Sequence, residues 1–264
     1  MRITITPLLL LSSLTLLCNA SVQAQANPEA IRVCHENEDA FPWLLKDKPG
    51  YSQIMMTQLE KQISIPIKLM PMPWKQCLAD LKAGKVDGAM NASFNAERAE
   101  FAQYPLKLDG EADATKRMYR ATYALYKGKG TALSWDGKAL TASGTIGAQT
   151  GFSIVAQLKQ LGAKVEDSSP TADELLGRVA SGRYLAAALQ TTEADNSLSS
   201  LPALQAKVER VSPPLVEKAY YTIFSKPFFA QYGQTARDVW RLQGKLRESP
   251  EFKAQVSHLM KSVD

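Results

Sequence analysis

The sequence predicts an α/β protein built from two similar lobes, each a mostly parallel sheet flanked by helices. Three observations carry that reading. Strand and helix periodicities alternate along the chain, the pattern that parallel βαβ units require. The pattern occurs twice: the helix–glycine–basic–strand segment Leu81-Lys82-Ala83-Gly84-Lys85-Val86 is echoed by Val179-Ala180-Ser181-Gly182-Arg183-Tyr184. The 264 residues are also enough for two small domains, each with its own core.

Ile31-Arg32-Val33-Cys34 reads as the first strand, followed by a polar loop from His35 to Asp39 and by Phe41-Pro42-Trp43. Gly50-Tyr51-Ser52 opens a helix running to about Gln62, with Met55, Leu59 and Ile63 on one face. Ile65 to Met70 reads as the second strand, and Pro71-Met72-Pro73 turns the chain into another helix. There Trp74, Cys77, Leu78 and Leu81 have i, i+3, i+4, i+7 spacing, and Gly84 stands where a helix C-terminus favours φ > 0. Val86 to Met90 is the third strand. In the second half, Thr145 to Ala148 reads as a strand. The next helix starts near Gly151-Phe152-Ser153 and carries Ile154, Val155, Leu158 and Leu161 as far as Gly162. Thr171-Ala172-Asp173-Glu174 is a capping-box pattern ahead of Leu175, Leu176 and Val179, and Tyr184 to Leu189 is again a strand. Arg120 to Tyr126 alternates like a strand crossing between lobes, with Ala219 to Phe224 as its return. The tail from Ala230 to about Lys261 reads as helical with a break near Ser249-Pro250, packing back on the first lobe.

Composition excludes several classes. With 45% hydrophobic and 22% charged residues the chain is neither collagen-like, disordered nor a coiled coil. The net charge of +5 comes from 31 basic and 26 acidic residues that form no runs, so no nucleic-acid partner is expected. Two histidines, three cysteines and no C-x-x-C or H-E-x-x-H leave no expectation of a metal site or other cofactor.

Arg2 is the only charge in the first 26 residues and precedes the apolar run Leu8 to Leu17, then small and polar residues. This is the pattern of a cleavable secretory signal peptide at 1–26, with cleavage after Ala24 or Ala26, and it places the mature protein in the periplasm. A lipid anchor at Cys18 is the rival reading, although Thr15-Leu16-Leu17 lacks the small residues that such sites show. Removing the signal leaves Cys34 and Cys77. In an oxidising compartment they can form a disulfide, and both are equally suited to be small buried residues.

Taken in order, Phe41-Pro42-Trp43, Gly50-Tyr51, Pro71-Met72-Pro73-Trp74, Leu81 to Asp87 and Asn95-Ala96-Glu97-Arg98 resemble the family 3 periplasmic solute-binding proteins, as an atypical member. These are the amino-acid-type receptors of ABC importers. The resemblance extends through Gly151-Phe152-Ser153, Phe224-Ser225-Lys226 and Arg247-Glu248-Ser249-Pro250. It implies the type II periplasmic-binding-protein fold, two α/β lobes joined by two hinge strands that close on a ligand. On that plan 27–121 begin the first lobe, 122–217 form the second, and 218–264 return to the first.

The resemblance also assigns a ligand site. Arg98 takes the position that clamps a ligand carboxylate, a role suited to the bidentate guanidinium fork, with Asn91 and Ser93 as polar helpers. Trp74 matches the stacking aromatic, and Gly151, Phe152 and Ser153 match an anion-binding turn at a helix N-terminus. Gln190 stands where members that bind ordinary amino acids place an Asp for the α-ammonium. A neutral amide cannot supply that charge, so either Glu36, Asp39 or Glu193 replaces it or the ligand is not a plain α-amino acid. The expected function is non-enzymatic capture of a small polar carboxylate-bearing solute by a monomer that serves an ABC permease. Two alternatives stand beside it: a periplasmic enzyme resembling cyclohexadienyl dehydratase, with Glu36 or Glu193 as acid or base, and a sensory partner that presents its ligand to a membrane receptor.

Overall fold

The computed structural model describes residues 27–260. The leader read at 1–26, with its cleavage positions and Cys18, lies outside the described residues. The first lobe opens with β1 (Ile31–Glu36), α1 (Tyr51–Ile63), β2 (Ile67–Met72), α2 (Trp74–Lys82), β3 (Gly88–Ser93), α3 (Ala96–Phe101) and the short β4 (Ala102–Gln103). The chain crosses on β5 (Tyr119–Gly128) and forms a hairpin from β6 (Leu133–Trp135) and β7 (Leu140–Ala142). The second lobe continues with β8 (Ile146–Gln149), α4 (Ile154–Gln160), β9 (Val165–Ser169), α5 (Ala172–Ala180), β10 (Ala186–Gln190), α6 (Thr191–Ser200), α7 (Pro202–Gln205) and β11 (Val208–Arg210). It returns on β12 (Val216–Ser225) into α8 (Lys226–Glu248) and α9 (Pro250–Met260).

One hydrogen-bonded sheet runs through both lobes in the order β2-β1-β3-β12-β5-β10-β8-β9. Both outer thirds are parallel, as expected from the βαβ reading. The middle is antiparallel because the two crossing strands lie side by side, Tyr119–Tyr123 against Tyr220–Val216. Beyond that overlap β5 pairs with β10 and β12 pairs with β3, so each crossing strand belongs to both lobes.

Local chemistry sets the element ends. Gln53 Oε1 accepts from Gly50 N at 2.7 Å and Thr171 Oγ1 accepts from Glu174 N at 3.3 Å, which answers orphan amides at the starts of α1 and α5. Gly84 and Gly182, one residue past the C-caps of α2 and α5, both adopt positive φ, +68° and +76°. The proline predicted to break the tail does so at Pro250, and α8 starts earlier than read, at Lys226, where Ser225 Oγ accepts from Phe228 N. The segment Pro71-Met72 does not turn; β2 runs through it to Met72. Trp74, Cys77 and Leu81 bury the inner face of α2 against β1, while α1, α8 and α9 cover the opposite face of that sheet. Among the described residues no helix is long and apolar enough to cross a membrane.

Cys34 of β1 and Cys77 of α2 are joined as a disulfide, with Cα atoms 5.6 Å apart and both side chains fully buried. The bond closes a loop of 43 residues and fixes α2 on the strand that carries Glu36. Loop-closure entropy for such a crosslink stabilises a fold by about 2–4 kcal/mol. Replacing both cysteines with alanine is therefore expected to lower the Tm by roughly 5–15 °C. Differential scanning calorimetry checks this, and an unchanged Tm would show that the crosslink does not constrain the unfolded chain.

Candidate functional site in the interlobe cleft

The parallel strands of the two lobes aim their carboxyl ends at the same place, and a cavity of about 30 Å³ lies there. Its wall contains Glu36 at the end of β1, Trp74 just past β2 and Ser93 at the end of β3. From the other lobe come Gln149 at the end of β8, Pro170 just past β9 and Gln190 at the end of β10. Strand ends carry sites in α/β sheets because loops there are free of the sheet's packing constraint. Tyr119, Tyr123 and Tyr220 of the crossing strands form the floor between them.

Arg98 sits on the first turn of α3, where Asn95 Oδ1 accepts its backbone N–H at 3.0 Å. Its side chain is 5% exposed and lies in the cavity wall. Nη1 donates to Ser93 O at 2.8 Å and to Tyr104 Oη at 3.5 Å, and Nη2 donates across the cleft to Gly151 O at 3.4 Å. The guanidinium carbon lies 5.5 Å from the centroid of Trp74. A guanidinium has five N–H donors, so these three contacts leave donors over. The close approach needs Gly151, whose φ is +72° and at which a Cβ would stand 3.3 Å from Trp74 Cδ1.

Ser153, read as an anion-binding first-turn hydroxyl, lines the cavity. It precedes the seven-residue α4 and makes no side-chain cap bond. Its Oγ instead lies 2.7 Å from Ser93 Oγ of the first lobe and accepts from Lys218 Nζ at 3.0 Å. Lys218 also donates to Ser153 O at 3.3 Å. Burial and the nearby charge of Arg98 push the Lys218 ammonium down to about 8. Phe152 lines the cavity beside Ser153.

Gln190 is 3% exposed, and each end of its amide is bound by a protein group. Its Oε1 accepts from Trp43 Nε1 at 3.0 Å and its Nε2 donates to Tyr220 Oη at 3.1 Å. Tyr220 Oη in turn lies 2.8 Å from Tyr123 Oη. Tyr119 is stacked between Trp43, at 3.7 Å, and Tyr220, at 4.8 Å between ring centroids. Asn91, also in the wall, holds a left-handed backbone (φ 61°), and its Oδ1 accepts from Ser52 Oγ at 2.6 Å. Asn91 Nδ2 and Gln149 Oε1 are buried without a hydrogen-bond partner among the described residues, and both residues line the cavity.

The acids divide by position. Glu36 lines the cavity, but its oxygens already accept from Asn37 N at 2.8 Å and Trp74 N at 3.3 Å, and burial raises its pKa. Asp39 lies at the rim, where it accepts from Lys46 N at 2.7 Å. Glu193 is not in the cavity wall; it lies behind Gln149, whose Nε2 donates to Glu193 Oε1 at 3.1 Å. Burial drives the Glu193 carboxyl up to about 8, which leaves it mostly protonated at neutral pH. His35 is buried beside them; its Nδ1 donates to Glu36 O at 2.7 Å, and burial lowers its pKa.

The structure therefore brings Glu36, Trp74, Asn91, Ser93, Arg98, Phe152, Ser153 and Gln190 to one cavity, with Gly151 hydrogen-bonded to Arg98 at its edge. Sequence reasoning missed Trp43, Tyr119, Tyr123, Gln149 and Tyr220 as cavity residues, and Lys218, which lies outside the wall and holds Ser153. The available signal for the tyrosines was an alternation placing Tyr119 and Tyr123 on one face of an aromatic-rich crossing strand.

No protein-family model matches the sequence, and no curated protein matches it. Solved structures do match. A histidine kinase sensor domain with similarity to periplasmic binding proteins aligns with TM-score 0.70 and 13% identity, over 88% of this chain and 96% of that one. The substrate-binding protein of an amino acid ABC transporter aligns with TM-score 0.67 and 16% identity, over 88% and 99%. An amino acid ABC transporter substrate-binding protein from Streptococcus pneumoniae, bound to L-arginine, aligns with TM-score 0.64 and 18% identity, over 89% and 95%. This chain has the two-lobed fold of those proteins.

The buried Glu193 carries a stability prediction. Its folded pKa of about 8 lies above the ordinary 4.5, so the folded state holds a proton that the unfolded chain releases. Its contribution is complete below about pH 4.5 and is lost as pH rises toward 8. Glu193→Gln, which keeps the acceptor for Gln149, should flatten that slope. Relative to the parent, its unfolding free energy should gain on the order of a few kcal/mol between pH 5 and pH 8.5. Urea unfolding at the two pH values measures the gain, and equal slopes in both proteins would mean that Glu193 ionises normally.

Proposed function

We propose that the chain is an exported solute-binding protein that encloses a small polar carboxylate-bearing solute between its lobes. The observation that carries this reading is Arg98. Among the described residues no carboxylate lies within 4.0 Å of its guanidinium, although the group is buried in the cavity wall and reaches both lobes. A buried cation without a counter-ion is costly, and an anionic ligand relieves that cost. The unpartnered Asn91 Nδ2 and Gln149 Oε1 support a polar ligand body. A ligand touching both lobes favours the closed arrangement over an open one by its contacts to the second lobe.

An ABC permease as partner and the periplasm as location are supported by the transport receptors among the structural neighbours. The sensor-domain neighbour supports a second destination, a membrane receptor that reads the loaded protein. Binding without turnover is part of the proposal. Of the two acids that a cleft lyase would use, Glu36 already accepts two backbone amides and Glu193 lies behind Gln149. Isothermal titration of the protein, freed of bound solute, against a panel of small amino, hydroxy and dicarboxylic acids tests the reading, with a saturable one-site isotherm expected for at least one. Arg98→Ala should weaken that ligand by roughly 2–4 kcal/mol. An unaltered affinity in a variant that still folds would remove Arg98 from the site.

A further inference from the structure

The buried Glu193 carboxyl has no part in the binding reading, yet it stands directly behind a residue of the cavity wall. Gln149, buried at the end of β8, lines the cavity. One end of its amide is occupied: Nε2 donates to Glu193 Oε1 at 3.1 Å, to Glu193 Oε2 at 3.4 Å and to Pro170 O at 3.3 Å. The other end, Oε1, is buried without a hydrogen-bond partner among the described residues. A buried acceptor left bare is costly, so it calls for a partner from elsewhere.

An amide side chain offers a donor at one end and an acceptor at the other, and a half-turn about its last bond exchanges them. Which end meets Glu193 follows from the carboxyl proton. An ionised carboxylate only accepts, so it holds Nε2 and leaves Oε1 over, which is the arrangement in the structure. A protonated carboxyl carries an O–H that must donate, and with Nε2 before both oxygens that O–H faces another donor. Turning the amide gives the O–H its acceptor in Gln149 Oε1 and frees Nε2. Only the bond to Pro170 O is given up.

The surroundings of Glu193 favour the proton. Glu36 of β1 and Asp173 of α5 bring like charge, and Tyr119 and Tyr123 of β5 lie within electrostatic reach. Glu38 and Asp39 share a surface pocket with Glu193, and Lys46 beside them is paired to Glu38. Among the described residues no cation lies within 4.0 Å of Glu193, and the Ala172 N–H joins Gln149 in steadying its charged form.

Resting on the binding reading above, we propose that Glu193 is the positioning residue that sets which end of the Gln149 amide the cavity presents, a donor when Glu193 is protonated and an acceptor when it is ionised. Burial keeps the proton on at neutral pH, so the second lobe then offers the solute an N–H for a ligand oxygen. Above about pH 8 the wall offers a carbonyl oxygen instead.

Nuclear magnetic resonance on the mature protein, with no solute added, tests this between pH 6 and pH 9.5. The Gln149 side-chain NH2 is assigned by its loss in Gln149→Met, and the Glu193 carboxyl is followed by 13C labelling. A change of charge alone shifts nearby signals, so the deciding readout is the cross-peak between the Gln149 NH2 and the Glu193 γ protons. It should be at least twofold stronger at the high end of the range than at the low end, with the midpoint of the carboxyl titration. Glu193→Gln should abolish this pH dependence, and the parent titration decides the matter even if that variant fails to fold. If the carboxyl titrates while the cross-peak keeps its intensity, Gln149 does not turn and the proposal is wrong. If the carboxyl keeps one protonation state throughout, there is no switch and the proposal falls as well. Neither result bears on Arg98, whereas failure of every acid in the calorimetric panel would remove the binding reading and leave the Gln149 orientation as measured.

Discussion

The pairing of the two crossing strands is the constraint on which the rest of the molecule depends. Residues 119–123 and 216–220 run antiparallel, and that short ladder is the only part of the sheet that both lobes share in the described residues. It turns two parallel half-sheets into one surface and points their carboxyl ends at a common cleft. It also decides which side chains line the floor. Tyr119 and Tyr220 are register partners, which is why their rings stack, and Lys218 lies two residues further along the same ladder. A shift of one residue would turn Tyr220 to the opposite face and deprive the floor of its ring stack.

Charge in the cleft wall is carried by Arg98 and Glu36, with Asp39 at the rim bound to Lys46 N, while the buried Glu193 behind Gln149 takes up a proton. Burial drives this arrangement. A carboxylate excluded from water and lacking a cation takes up a proton, whereas a guanidinium cannot give one away at any accessible pH. Arg98 therefore remains the fixed charge of the site, and the groups around it adjust. Carbonyl oxygens from Ser93 and Gly151 supply partial compensation only, because a dipole offsets less than a full counter-charge.

Much of the scaffold was legible in the sequence because its determinants are local. The apolar spacing of Trp74, Cys77 and Leu81, the glycines after α2 and α5 and the Thr171 cap each lie within a few residues of the element they define. The missed elements lack such signals. The strand β9 reads Val-Glu-Asp-Ser-Ser and forms an edge, so it shows little apolar alternation; α6 offers only Ala194 and Leu198 as an apolar pair among polar residues. The site divides the same way. Arg98, Ser93 and Trp74 are marked by short motifs at strand ends. The bond from Trp43 to Gln190 spans 147 residues, and the one from Lys218 to Ser153 spans 65, so no local pattern encodes either. Ser153 was found as part of an anion-binding turn, but its partners were not, and they add a contact between lobes.

Gln190 shows how that long-range chemistry can displace a local expectation. A carboxylate at this position would be 3% exposed, would face two tyrosine hydroxyls and an aromatic stack, and would have no cation beside it. Such a group would protonate rather than hold charge. The amide instead uses its acceptor for Trp43 of the first lobe and its donor for Tyr220 of the crossing strand. It therefore ties the second lobe to the first in the same way as the Ser93–Ser153 contact and the Arg98 bond to Gly151. Each such bond contributes about 0.5–1.5 kcal/mol net, so three together amount to a few kcal/mol. That is the size of free-energy difference that a ligand with modest preference for one state can reverse or reinforce. At position 190 the side chain thus spends its hydrogen bonds on joining the lobes, through Trp43 on one side and Tyr220 on the other.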